Sequence, residues 1–348
     1  MRRYAGAVLL LICIVENSCT APFKNLTDAA SRAAAIVASS QQGPGYWLTS
    51  YTGSPRFKQP AREMNTYLTA VMIDVLGPIS GQARLGDNLD RARKHLTGQI
   101  EDTGLVRYHG KPEGPASHGL GCVISPDADD TALVWRIAPA ADPQLMEKAL
   151  ATLAEYRSSD QLYLTWLAPR DSFQCIDPGK DPDPADVAIQ MHILMFLAQV
   201  RPANGWLLCK ALDKAIDDDR IWVYYKIAPL IPILRLVDLK AAGCSISLPP
   251  ARLKSNVAGQ DIWNRAGLLL SRLLGSNSAV PSSTETNDLL QKLAQDDFAA
   301  IRQNPPLLYH NDLTASTPRF YWSADFGYAL WLRLYFANLR LNQPPILQ

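Results

Sequence analysis

The sequence has almost no charge imbalance: 34 Lys and Arg face 33 Asp and Glu, for a formal net charge of +1. It also has no basic run with interleaved aromatics, so a nucleic-acid partner is not expected. The six cysteines contain no C-x-x-C pair, and none of the five histidines stands at finger-like spacing, which argues against a zinc site. "DDTAL" and "DDDRI" both miss the D-D-x-x-D spacing that would hold magnesium and a diphosphate. "DPGKDPDPAD" lacks the spacing of a calcium loop and sets prolines where ligands would stand, and reads as a stiff loop ending in a helix cap at Asp186. Neither a metal nor a cofactor is expected.

The N-terminus is distinctive. Arg2 and Arg3 precede "AGAVLLLICIV" and then the small-residue stretch "ENSCTA". A basic, then apolar, then small-residue order describes a secretory signal, and the apolar run is too short to span a bilayer comfortably. Residues 1–21 are therefore expected to be a signal peptide or N-terminal membrane anchor. Cys19 is a poor match to a lipobox because Glu16, Asn17 and Ser18 precede it. Residues 22–348 are read as a single domain, exported or membrane-associated. Past Cys19 stand Cys122, Cys175, Cys209 and Cys244; they allow three disulfide pairings in an oxidising compartment, and buried free thiols are the other reading.

A pattern recurs along the chain: a polar or aromatic cluster, a small residue, then an apolar run at helical period. The instances are "NTYLTAVMIDVL", "DADDTALVWRIA", "DPADVAIQMHILMFLA", "WVYYKIAPLIPILRLV", "QDIWNRAGLLLSRLL" and "YWSADFGYALWLRLYF", anchored at Ala70, Ala132, Ala188, Ala228, Ala266 and Ala329. Between them lie amphipathic segments near 28–39, 87–101, 144–157, 204–216 and 286–303, while "LPPARLKSN" is too short and Pro-rich for a helix. Inner helices apolar nearly all round, each paired with an amphipathic outer one, predict an all-α fold: a single (α/α)6 barrel, or toroid, of helical hairpins. The Gly- and Pro-rich loops ahead of the inner runs should gather at the mouth of a central cavity.

"SPDADDTAL", residues 125–133, sets Asp127, Asp129 and Asp130 at the start of an apolar run. Ser and Asp are good caps and acids complement the helix dipole, so a structural helix start would look much the same. Crowded carboxylates in a dry cavity would also have raised pKa values, against the pull of the dipole.

"PDADDTA" resembles the D-x-D-D-T-A motif of class II terpenoid cyclases of the squalene–hopene cyclase type, and Gln41, Gly45 and Trp47 in "QQGPGYW" resemble the QW repeat of that terpenoid cyclase and prenyltransferase superfamily. The resemblance implies an α/α barrel and metal-independent protonation of an isoprenoid alkene or epoxide by Asp129, with Asp127 and Asp130 as neighbours and His192 as its hydrogen-bonding partner. A carbocation would then need aromatic faces, worth about 0.5–2 kcal/mol each. The candidates are Tyr67, Trp135, Trp222, Tyr224, Tyr225, Tyr321 and Trp322, all placed at inner-helix starts. Members of the family set their cavity between two barrels, so a partner barrel or homodimer is a further expectation, with a small-molecule or lipid substrate.

Two other functions fit the same scaffold. An exported glycoside hydrolase or lyase would pair Asp129 with Asp186 or Asp325 and stack sugar rings on Trp47, Trp166 and Trp322, with carboxyls roughly 5–10 Å apart. A non-catalytic binding toroid would use the acidic motif only as a cap.

Overall fold

The computed structural model describes residues 23–54, 57, 59–113, 122–176, 179–275 and 282–342. The expected signal segment, with Cys19, lies outside the described residues. The helices are α1 (Leu26–Ser40), α2 (Thr66–Leu76), α3 (Ser80–Ala83), α4 (Gly86–Thr97), α5 (Ala128–Ile137), α6 (Pro143–Glu155), α7 (Val187–Val200), α8 (Pro202–Ala215), α9 (Leu230–Ala241), α10 (Asp261–Leu274), α11 (Ser283–Gln303) and α12 (Ala324–Asn342). The strands are β1 (Leu48–Thr52), β2 (Ala61–Met64), β3 (Leu307–His310) and β4 (Phe320–Trp322).

Burial separates the helices into the two classes the periodicity implies. Every residue of α2 except Asp74 is buried, and so is α7 from Val187 to Leu197. In α4 only Asn88, Leu89, Ala92 and Leu96 are buried, a single stripe three to four residues apart. The apolar helices pack in a succession that returns to its start: α2 on α5, α5 on α7, α7 on α9, α9 on α10, α10 on α12, and α12 on α2. Amphipathic partners lie behind several of them: α4 against α2, α6 against α5, α8 against α7, and both α1 and α11 against α12. Ahead of α10 stands only a 3-10 turn, Pro250–Leu253, opened by prolines and one turn long, in place of an amphipathic helix.

The all-α expectation needs correction. An antiparallel sheet, ordered β2-β1-β4-β3, joins the segment before α2 to the segment before α12. The start of the expected sixth inner helix is strand β4, and α12 begins two residues after it. The apolar and aromatic character of "FYW" gives no period-2 signal because all three residues are buried. A similar correction applies to "WVYYKIAPLIPILRLV": Trp222–Ala228 is not helical, and α9 opens only at Leu230. Pro229 disfavours helical geometry at Ala228, the residue before it.

Three local devices hold this frame. Gln41 donates from Nε2 to the Gly45 and Asn88 carbonyls at 2.9 and 2.8 Å, and the buried Trp47 indole donates to the Val37 carbonyl at 3.0 Å. Gly45 adopts φ +112° with its Cα turned toward the Arg91 carbonyl, where a Cβ would stand 2.5 Å from oxygen; only glycine fits. The QW-like element is thus a staple between α1, β1 and α4. Disulfides join Cys122 to Cys175 and Cys209 to Cys244, which resolves the pairing left open by the sequence.

The third device is Asp186, fully buried at the head of α7. One oxygen caps the helix at Ala188 N (3.0 Å), and the other accepts from Val223 N and Tyr224 N at 3.0 and 2.8 Å. That carboxyl fixes the non-helical segment ahead of α9. Asp186→Ala leaves a helix cap and two strapped N–H groups without their acceptor, and is expected to lower the unfolding free energy by about 2–4 kcal/mol in urea melts under oxidising conditions.

Candidate active site

The cavity, of about 260 Å³, opens at the end of the molecule where α2, α5 and α7 begin, and its wall carries Asp127, Asp129 and Asp130. Asp127 is the N-cap of α5, its Oδ1 accepting from Asp130 N at 2.7 Å. This cap consumes one acid of the motif and turns the next two residues into the first helical turn. Asp130 accepts from the Thr66 hydroxyl at the start of α2. Asp129 meets Nδ1 of His192, a fully buried residue near the middle of α7.

The far side of that imidazole fixes its protonation. Arg235 of α9 donates from Nε to His192 Nε2 at 2.7 Å. A guanidinium only donates, so Nε2 must be the bare nitrogen and Nδ1 the protonated one. Nδ1–H therefore donates to Asp129, and the contact is a neutral hydrogen bond, not an ion pair. Burial holds His192 well below its ordinary value, helped by the Arg235 and Arg136 guanidiniums and opposed by Asp74. Asp74, the one residue of α2 that is only partly buried, pairs with Arg235 Nη1 at 2.8 Å and with Arg136. Burial works against the Asp74 charge, but the two guanidiniums outweigh it and hold its carboxyl below the usual range.

The carboxyls on the cavity wall shift the other way. Burial pushes Asp129 up to about 7, against the pull of Arg235. Asp130 rises to about 7, through burial first and then the charge of Asp129. Asp127 rises well above its ordinary value through burial, with Asp130 and Asp129 adding to it. For Asp129 it is thus desolvation, more than crowding, that opposes the helix N-terminus.

The ring-bearing residues expected from the sequence divide into two groups. Tyr67, Trp166, Tyr224, Tyr225 and Tyr321 line the cavity. Trp47, Trp135, Trp222 and Trp322 do not. Trp135 donates to the Gly104 carbonyl at 2.7 Å and Trp222 to the Ile216 carbonyl at 2.9 Å, so both indoles are anchored in the framework, as Trp47 is. Trp322 follows Tyr321 on β4, and strand alternation sends it to the opposite face, onto Phe57 with ring centroids 5.0 Å apart. The carboxyls named as partners for Asp129 in a sugar-cleaving site are elsewhere: Asp186 is engaged in capping, and Asp325 of α12 is absent from the cavity wall.

The structure adds wall residues that the sequence reading passed over: Glu63, Tyr108, His109, Tyr309 and Arg319. Tyr309 and Tyr321, neighbours on β3 and β4, stack at 4.4 Å with their planes 15° apart. Tyr67 sits edge-on to Tyr309 at 5.2 Å and shares a 2.8 Å hydroxyl contact with Tyr225. The available signal was the loop "VRYHGKPEGP" and the pair "LLYH" and "RFYW", which become neighbours only when the sheet forms. Among the described residues no group of three or more His, Cys, Asp or Glu is arranged to hold a metal ion.

No family model matches the sequence, and no curated protein matches it either. The fold, however, is similar to that of solved structures. One is an arginine-to-alanine variant of the type II terpene cyclase MstE from Scytonema in complex with geranylgeranyl dihydroxybenzoate, at 13% identity and a TM-score of 0.51, covering 91% of this chain and 98% of that one. Another is a protein from Actinoplanes, at 14% identity and a TM-score of 0.50, covering 90% of this chain and 99% of that one. At such identities the likeness is one of fold.

Proposed function

We propose that the protein is a terpene-cyclase-like enzyme built on a single (α/α)6 toroid, in which Asp129 protonates an isoprenoid alkene or epoxide and starts a cation cyclisation. The observation that carries this reading is the carboxyl of Asp129: buried, raised to about 7, and bonded to an imidazole that Arg235 keeps neutral. An alkene is a very weak base, so its acid must reach it uncharged and unhydrated, and a dry wall supplies both conditions. The resemblance of "PDADDTA" to the class II motif and the fold shared with MstE support the same assignment.

The steps follow from the residues. The Asp129 hydroxyl proton adds to one alkene carbon, leaving a tertiary cation on its neighbour. As Asp129 becomes a carboxylate, its hydrogen bond from His192 strengthens, which stabilises the transition state more than the ground state. Arg235 prevents His192 from flipping its tautomer or taking the proton itself. The cation then migrates by ring closure past the rings of Tyr67, Tyr225, Tyr309 and Tyr321, which line the cavity and stabilise it. Export through the N-terminal segment, association with a membrane that holds the lipid substrate, and a homodimeric partner barrel belong to this proposal as its cellular setting.

The purified protein incubated with geranylgeraniol, squalene and 2,3-oxidosqualene is expected to cyclise at least one of them. Asp129→Asn should lower that turnover by at least about 10²–10⁴-fold with the helical circular dichroism unchanged. A wild type inert on all three, or an Asn variant of equal rate, would remove the assignment. His192→Phe, which deletes one donor to the developing carboxylate, should cost about 10²–10³ in kcat.

The pH profile has a definite sign. The acid acts in its protonated form, and that form is populated below its raised value. Log kcat should therefore be flat below pH about 7 and fall by one unit per pH unit above it. A rate that climbs from pH 6 to 8 contradicts Asp129 as the acid.

A further inference from the structure

A second cluster of polar groups stands on the cavity wall, and proton delivery by Asp129 makes no use of it. Tyr108 donates its hydroxyl proton to Glu63 Oε1 on β2, while the other oxygen of Glu63 lies 3.3 Å from His109 Nε2. Asn65, the N-cap of α2, donates from Nδ2 to the Tyr108 hydroxyl at 2.7 Å. Its amide cannot turn over without losing the cap, because Oδ1 accepts from Leu68 N at 2.8 Å. The direction of the chain is thereby set: Tyr108 has a single proton, Glu63 receives it, and Tyr309 must donate to Tyr108 in turn. That leaves the Tyr309 oxygen with only lone pairs to offer beyond Tyr108, on a ring set among Tyr67, Tyr225 and Tyr321.

We infer that Tyr309, Tyr108 and Glu63 form a proton exit that ends the cyclisation, with Tyr309 as the catalytic base facing the cation and Glu63 as the final acceptor. This rests on the cyclase reading above. In the terminating step a C–H bond next to the cationic carbon breaks and its electron pair becomes the new C=C bond. The proton passes to the Tyr309 oxygen, the Tyr309 proton to the Tyr108 oxygen, and the Tyr108 proton to the Glu63 carboxylate. Both phenols end neutral, Glu63 ends as the acid, and one proton leaves the substrate for the one Asp129 supplied, so the reaction is a net isomerisation. Phenols suit the transfer because burial holds Tyr309 and Tyr108 well above their ordinary values and no phenolate accumulates to trap the cation. Asn65 and His109 are positioning residues, fixing the donor direction and the carboxylate.

The test uses the full chain with whichever of the three linear isoprenoids the wild type converts, and analyses products for wild type, Tyr309→Phe, Glu63→Gln and Asp129→Asn. Tyr309→Phe and Glu63→Gln should still consume substrate, since the initiating acid is intact. The share of the wild-type alkene should fall at least tenfold, replaced by a water-captured alcohol or an alkene at another position. Asp129→Asn should consume nothing. An unchanged product pattern in both exit variants overturns the relay, whether or not their rates fall. So does loss of all consumption in either variant with the fold retained, because the residue would then serve initiation. A wild type that converts none of the three removes the cyclase reading and the relay with it, an outcome distinct from a shifted product pattern.

Discussion

One hydrogen bond constrains the site more than any other: Arg235 Nε to His192 Nε2. A buried imidazole beside a carboxyl ordinarily invites an ion pair, which would leave Asp129 charged and unable to serve as the proposed acid. A guanidinium on the opposite nitrogen forbids that state, because it can neither accept a hydrogen bond nor give up its charge at neutral pH. Arg235 is itself buried, and burial works against its charge. Asp74 and Asp238 outweigh that and keep it a cation. A carboxylate on α2 and one on α9 thus decide the tautomer of a histidine on α7 and, through it, the protonation of an aspartate on α5.

The rest of the cavity follows from the same need to exclude water. Desolvation raises the carboxyls of Asp127, Asp129 and Asp130 and the hydroxyls of Tyr67, Tyr108 and Tyr309 alike, and so favours the neutral form of each. Under the proposed function, uncharged groups suit a chamber that would house a carbocation without quenching it. The cost is borne by framework elements that spend their polar atoms on geometry: Asp127 and Asp186 as caps, Asn65 as cap and donor, and the Cys122–Cys175 disulfide joining two wall loops. Such conflict between local preference and environment is what functional sites carry.

The two proposed proton paths share one group of aromatic rings. The Tyr67 ring stands 6.3 Å from His192 and 5.2 Å from Tyr309, in contact range of both. The proposed acid and base stand on different elements, Asp129 on α5 and Tyr309 on β3, and β3 packs against α9.

Much of this was readable in the chain. Apolar helical periodicity located α2, α5, α7 and most of α12, because those helices are buried on nearly all sides, and also α10, which buries only one face; the amphipathic stripes located α1, α4, α6, α8 and α11. The motif singled out Asp129, and His192 followed from its place on the third apolar run. Tertiary structure alone decided the rest. The strands were hidden because "FYW" is buried on both faces and a short apolar strand has the composition of a helix start. Trp47, Trp135, Trp222 and Trp322 read as site aromatics, yet an indole N–H seeks a buried carbonyl and a strand alternates its faces, and these rules took them out of the cavity. Arg235 and Glu63 carry no local signature, and the aromatic stretches that hold Tyr108 and Tyr309 do not show what they will meet, since a single Arg, Glu or Tyr gains meaning only from the group it is brought against across scores of residues. The sequence by itself determined which helices would be buried and where a carboxyl cluster would cap one. Which charges meet across those helices, and so which proton is free to move, was decided by the packing, because hydrogen-bond direction depends on the partner and partners are assigned in three dimensions.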